Sequence, residues 1–264
     1  MGIQKSILIL ISVATLFACN NTTSKSVSNK KEVVSEVVQP SKAEVILNQA
    51  INAHGGDLYD SANYTFVFRG NTYQFKNDGK AYEYSKSSQK GDSLIIDRLK
   101  NGKFSRTINN DTIALSEKDI KSGTGAINSV IYFATLPHKL KDDAVNETYM
   151  GETTIKGKNY SILSISFSQD GGGEDFDDEY YYWIDTDAHT VDYLAYNFHV
   201  NQGGVRFRSA YNRSIVDGIT FQDYVNYKAE VGTPLKALPE LYEAGKLIEL
   251  SKIETESITN LNAN

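Results

Sequence analysis

Arg206 and Arg208 alternate with Val205 and Phe207 just after Gly203-Gly204. Alternation puts both guanidinium groups on one face of a strand, where they could clamp a carboxylate or a phosphate. The plainer alternative is a pair of outward strand arginines matched to nearby acids, worth little when exposed. Asp170 to Glu179 gathers six acids in ten residues on a glycine-rich stretch. Such a loop could offer calcium its roughly six to eight oxygens, but the spacing is not that of an EF-hand. A solvated hairpin whose charges prevent edge pairing explains it more simply. The histidines, His54, His138, His189 and His199, fall in four different predicted elements, none in an H-E-x-x-H or Cys/His spacing, so no metal site is expected. At His54, which should close a helix, a partly charged imidazole would favour the carbonyl ends. No serine stands in G-x-S-x-G, no phosphate-binding G-x-x-x-x-G-K-[ST] exists, and Gly123-Thr124-Gly125 lacks the third glycine of a dinucleotide loop. The lysines lie mostly in turns and alternating polar positions, unlike the desolvated lysine of a Schiff-base aldolase. No catalytic residue and no cofactor are therefore expected.

The aromatic residues give the broadest signal. Tyr64, Phe66 and Phe68, then Tyr73 and Phe75, then Tyr82 and Tyr84 alternate along three successive predicted strands. In an antiparallel meander these seven share one face. Tyr180 and Tyr182, or Tyr181 and Trp183, could join them, and alternation places the two pairs on opposite faces. Either capping helices fill the aromatic face as core, or the face walls a cavity. Tyrosine suits a partly wet cavity with an apolar wall. The candidate ligand-binding set is Tyr64, Phe66, Phe68, Tyr73, Phe75, Tyr82, Tyr84, Tyr182, Arg206 and Arg208.

The elements that must position this set can be read in order. Ser41-Lys42-Ala43-Glu44 has the form of a capping box, and Ile46, Leu47, Ala50, Ile51 and His54 recur on one helical face before Gly55-Gly56 stops the helix. Strands follow from Asn63, with turns at Gly70-Asn71, Asn77-Asp78-Gly79, Asn101-Gly102 and Asn110-Asp111. Ser116 to Asp119 offers a second helix start, and after an interruption at Gly123 and Gly125 a buried helix should run from Ile127 to Leu136, closed by Pro137. Six more strands are predicted between Tyr149 and Lys228, then a short helix near Glu240 to Gly245 and a last strand over Lys246 to Ile253. About a dozen strands in all predict a mainly β fold.

The amino end reads as an address. Lys5, the apolar run Ile7 to Phe17 and Leu16-Phe17-Ala18-Cys19 have the tripartite layout of a secretory signal, and the apolar run is too short to span a bilayer. Residues 1–18 are expected to be removed. The remaining 246 residues carry 26 Lys and Arg against 33 Asp and Glu, a formal charge of −7 that disfavours nucleic acid. Residues 19–40, polar and without settled period, should form a tether, and residues 41–264 a single domain. Cys19 is the sole cysteine, so no intramolecular disulfide can form and burial must hold the fold. With 40% hydrophobic residues and 11% aromatics there is ample material for a core.

Several of these features carry a resemblance. Leu16-Phe17-Ala18-Cys19 resembles the bacterial lipobox, which implies lipidation of Cys19. The residues after Cys19 include no aspartate at once and no acidic cluster, which by resemblance to other lipoproteins implies the outer membrane and its periplasmic face. Asp60-Ser61-Ala62, Asp92-Ser93-Leu94 and Asp111-Thr112-Ile113 look like the short O-glycosylation signal of Bacteroidota secreted proteins. The helix ending His54-Gly55-Gly56, the aromatic strand after it, and the hairpin Tyr181 to Asp185 into Val191 to Leu194 resemble a family of Bacteroidota lipoproteins and, in layout, the superfamily of Lol lipoprotein carriers. The resemblance implies a strongly curved antiparallel sheet, an incomplete barrel covered by two or three helices, whose concave aromatic face takes acyl chains. The carriers' acyl-binding residues do not map onto this chain by motif. The expectation is a monomeric, lipid-anchored envelope protein, attached to the membrane through Cys19, that binds an acyl chain or lipid. The alternatives are a scaffold for a protein or glycan partner, favoured by tyrosines on the convex face, and an envelope enzyme without a recognised motif.

Overall fold

The fold is that of a computed structural model, which describes residues 39–168, 178–199 and 202–263. The expected signal, Cys19, nearly all of the tether and residues 170–177 of the acidic run lie outside the described residues.

Ser41 opens helix α1 (Lys42–Ala53) by accepting the Glu44 amide hydrogen on its hydroxyl at 3.0 Å, as a capping residue should. The helix buries Ala43, Ile46, Leu47, Ala50 and Ile51 on one stripe. After a 3-10 turn (Gly56–Ser61) comes a meander of β1 (Asn63–Phe68), β2 (Asn71–Asp78), β3 (Ala81–Lys90), β4 (Ser93–Lys100), β5 (Lys103–Ile108) and β6 (Asp111–Thr112). Its register pairs Tyr64 with Phe75, Phe66 with Tyr73, and Phe75 with Tyr84, so the seven aromatics do share a face.

Helix α2 (Glu117–Ala134) follows, capped by Ser116. It is unbroken, contrary to the interruption expected at Gly123 and Gly125. Gly123 is instead the point where the helix passes over β5, for a Cβ there would run into the ring of Phe104. Next come β7 (Val145–Ile155), β8 (Lys158–Phe167), β9 (Tyr180–Asp185), β10 (Val191–Phe198), β11 (Gly204–Val216) and β12 (Ile219–Ala229). A short helix α3 (Leu238–Glu243) precedes β13 (Ile248–Ile253) and β14 (Glu256–Asn260).

Two seven-stranded antiparallel sheets result, in the orders β14-β1-β2-β3-β4-β5-β6 and β13-β12-β11-β10-β9-β8-β7. Consecutive strands β13 and β14 each pair at the edge of a different sheet, so the sheets meet at Glu254-Thr255. Asp223 of β12 pins this corner, accepting the Thr255 amide at 2.8 Å and the Asn212 side-chain amide at 2.7 Å. Tyr64 donates from β1 to the Val216 carbonyl of β11 at 3.2 Å. At the other end β6 and β7 do not pair, which leaves an incomplete barrel. Strand β14 escapes the periodicity of the sequence, because Ile258 is its one apolar residue.

The second sheet is covered on both faces. Leu163, Ile165, Tyr180, Tyr182, Ile184 and Leu194 face α1 together with Leu136 and Leu140. Tyr181, Trp183, Tyr193 and Phe207 face the other way, under Leu235, Leu238 and Tyr242. The two aromatic pairs of β9 thus lie on opposite faces, as alternation requires, and the tyrosines on the outward side are roofed by α3.

Candidate functional site

Helix α2 lies in the trough between the sheets. Its buried residues, Gly123, Ile127 and Ile131, sit against the aromatic wall of the first sheet. Tyr64, Phe66, Tyr73, Phe75 and Tyr84 are buried in that wall, and Phe68 and Tyr82 are half-buried at its margin. Ring centroids stand 5.7 Å apart for both Tyr64–Phe75 and Phe66–Tyr73, and 4.6 Å apart for Tyr82–Tyr84. The predicted aromatic set is therefore contiguous, and in this conformation a helix covers it.

The carboxyl end of α2 turns to the inner face of the second sheet. The Tyr132 and Tyr182 hydroxyls share a hydrogen bond at 3.0 Å, and the Phe133 ring lies 5.6 Å from that of Tyr196. Tyr182 is fully buried, and burial pushes its phenol well up. Gln222 donates to the Tyr224 hydroxyl at 2.6 Å and to the Val191 carbonyl at 2.9 Å. A polar seam thus runs through an apolar interior.

Arg208 enters this seam. Paired in register with Leu194, as Arg206 is with Tyr196, it points inward and is only 7% exposed. Its Nη2 donates to the Tyr196 hydroxyl at 3.0 Å, and its guanidinium carbon lies 3.7 Å from the centroid of Phe133. Among the described residues its Nε and Nη1 have no acceptor. Arg206 is half-buried, lies over Phe198 at 4.9 Å and donates to its neighbour's carbonyl at 3.1 Å. The plain alternative of outward arginines matched to acids fails: both share the inner side of the strand, and among the described residues no carboxylate forms an ion pair with either.

The histidines behave differently from expectation. His54 is wholly buried and does not act as a charged helix cap. Its Nε2 accepts the Val191 amide hydrogen at 3.1 Å, and burial pushes its pKa down to about 4, with Arg213 acting in the same direction. His138 stacks on Tyr59 at 4.5 Å and is likewise lowered to about 4, chiefly by burial. Among the described residues no group of three or more His, Cys, Asp or Glu is placed to hold a metal.

Sequence reasoning missed Tyr132, Phe133, Tyr196 and Tyr224 as parts of this site. The signal for Tyr196 was available, since Leu194 and Tyr196 alternate just as Arg206 and Arg208 do across the hairpin. The signal for α2 was not, because Tyr132 and Phe133 stand within an apolar run that any buried helix would show.

Residues 31–255 match DUF6503, a family of unknown function, and the chain belongs to that family. No curated protein matches it. Among solved structures it is similar to a LolA superfamily protein from Nitrosomonas europaea, at 10% identity over 83% of this chain and 94% of that one, with a TM-score of 0.50. It is also similar to a DUF1329 family protein from Desulfovibrio piger, at 11% identity over 85% and 95% of the two chains, with a TM-score of 0.41. At such identities the likeness to the first is one of fold, the half-barrel of the LolA superfamily.

Proposed function

We propose that this member of the DUF6503 family is a lipid-anchored envelope protein that binds an acyl chain or lipid in the trough between its sheets. Residues 1–18 are the signal, Cys19 carries the lipid, residues 19–40 are the tether, and the protein works as a monomer at the periplasmic face of the outer membrane. Tyr64, Phe66, Phe68, Tyr73, Phe75, Tyr82, Tyr84 and Tyr182 supply the wall.

The observation that supports this reading is the occupancy of the trough by α2, which seats Ile127 and Ile131 fully and Val130, Tyr132 and Phe133 partly. Ile127 and Ile131 each contribute roughly 1.5–3 kcal/mol by burial, and an acyl methylene about 0.8 kcal/mol, so about four to eight methylenes match these two side chains. An acyl chain that also offsets the half-buried Val130, Tyr132 and Phe133 must be longer than that, and it can compete with the helix for the same wall.

The test is native mass spectrometry of the chain from residue 19 onward carrying Cys19→Ser, prepared without detergent and followed by lipid extraction. A co-purifying lipid, or a mass gain on offering fatty acids or phospholipids, is the expected result. An apo mass with no gain would overturn lipid binding and favour a partner-binding scaffold.

A further inference from the structure

We infer that Arg208 is the seat of an anionic head group, so that the ligand between the sheets is a monoanionic amphiphile. Its head lies at Arg208 and its tail runs along the wall that Ile127 and Ile131 now cover. This rests on the lipid-binding reading above and adds the charge and the direction of the ligand.

A guanidinium keeps its proton in a protein, so Arg208 is a permanent charge, and a charge taken out of water needs a counter-charge or a full set of acceptors. Among the described residues it has neither. Of its donors only Nη2 finds an oxygen there, and that oxygen is the uncharged Tyr196 phenol. The phenols of Tyr182 and Tyr224, which also feel its charge, are neutral too. The Phe133 ring offers the positive charge a π face at 3.7 Å, a partial compensation.

Phe133 belongs to the same helix as Ile127 and Ile131. One displacement of α2 therefore uncovers the cation and the apolar wall together. From residue 127 to residue 133 the helix rises about 9 Å, which sets the span from the head to the middle of the tail. A single buried guanidinium matches a single negative charge shared by two oxygens. Carboxylates of fatty acids and phosphodiesters of phospholipids both meet that description.

The test uses the chain from residue 19 onward with Cys19→Ser, stripped of lipid, and calorimetric titration with dodecanoate, methyl dodecanoate and dodecanoyl lysophosphatidylglycerol. At least one anion should bind roughly ten- to a hundredfold tighter than the neutral ester. Arg208→Gln should erase that preference, and Arg208→Lys should keep part of it. A preference for dodecanoate alone identifies a fatty acid, and one for the lysolipid alone a phospholipid head. The melting temperature of ligand-free Arg208→Gln should equal or exceed that of the wild type, because an uncompensated charge has been removed.

Equal binding of all three compounds to the wild type would overturn the inference and leave lipid binding standing. No binding of any of them, the ester included, would overturn both. A fall in melting temperature on Arg208→Gln with the anion preference intact would make Arg208 a structural residue and overturn the inference.

Discussion

Nε2 of His54, at the end of α1, accepts the amide hydrogen of Val191 at the start of β10, 137 residues along the chain. Burial holds its pKa at about 4, below the ordinary 6.5. Between these values the unfolded chain takes up a proton that the folded protein refuses. Stability should therefore fall as the pH drops from 6.5 to about 4, by on the order of 3 kcal/mol from His54 alone. Denaturant midpoints across this range should fall less steeply for His54→Gln than for the wild type. His138, lowered in the same direction, will leave some slope in the variant. Parallel curves would show that His54 contributes nothing.

Ile131→Ala should separate stability from affinity. Truncation should cost about 2–5 kcal/mol, as for other buried large-to-small changes, read as a lower urea midpoint. Under the proposed competition between α2 and an acyl chain for one wall, acyl-chain affinity should rise as stability falls. A parallel loss of both would mean that Ile131 helps to hold the ligand.

Asp223→Ala should loosen the corner between the sheets. It removes the acceptor of the half-buried Thr255 amide and of the exposed Asn212 side chain, and because water reaches these donors the cost should be about 0.5–1.5 kcal/mol for each bond lost. Hydrogen exchange should accelerate first in β14 and β1. Uniform acceleration, equal in α1, would place the effect elsewhere.

Cys19→Ser should move the protein from the membrane fraction to the soluble fraction of the envelope, with the melting temperature of residues 40–264 unchanged. Retention in the membrane fraction would show that something other than a lipid on Cys19 holds it there.

What the sequence made legible was local. Alternation alone placed Tyr64, Phe66, Tyr73, Phe75 and Tyr84 on one wall, because a strand has a period of two whatever it packs against. It also put Arg206 and Arg208 on one side of β11. It could not say what stands opposite, since the partner of Arg208 is Phe133, brought in by a helix some 70 residues earlier. His54 failed for the same reason: its helix was plain, but the amide of β10 that reaches its ring is a tertiary fact. Gly123 looked like a helix breaker because propensity disfavours it, whereas here the Phe104 ring occupies the space a Cβ would take.

The pairing of β1 with β14 sets an order of events during synthesis. Tyr64 is made well before its neighbour Asn260, 196 residues further along, arrives. Until then one edge of β1 stays bare, a template for pairing with other chains, and contacts so distant in sequence form slowly. A chain cut short before residue 256 would keep that bare edge permanently, so aggregation rather than simple loss of binding is the expected fate of late truncations.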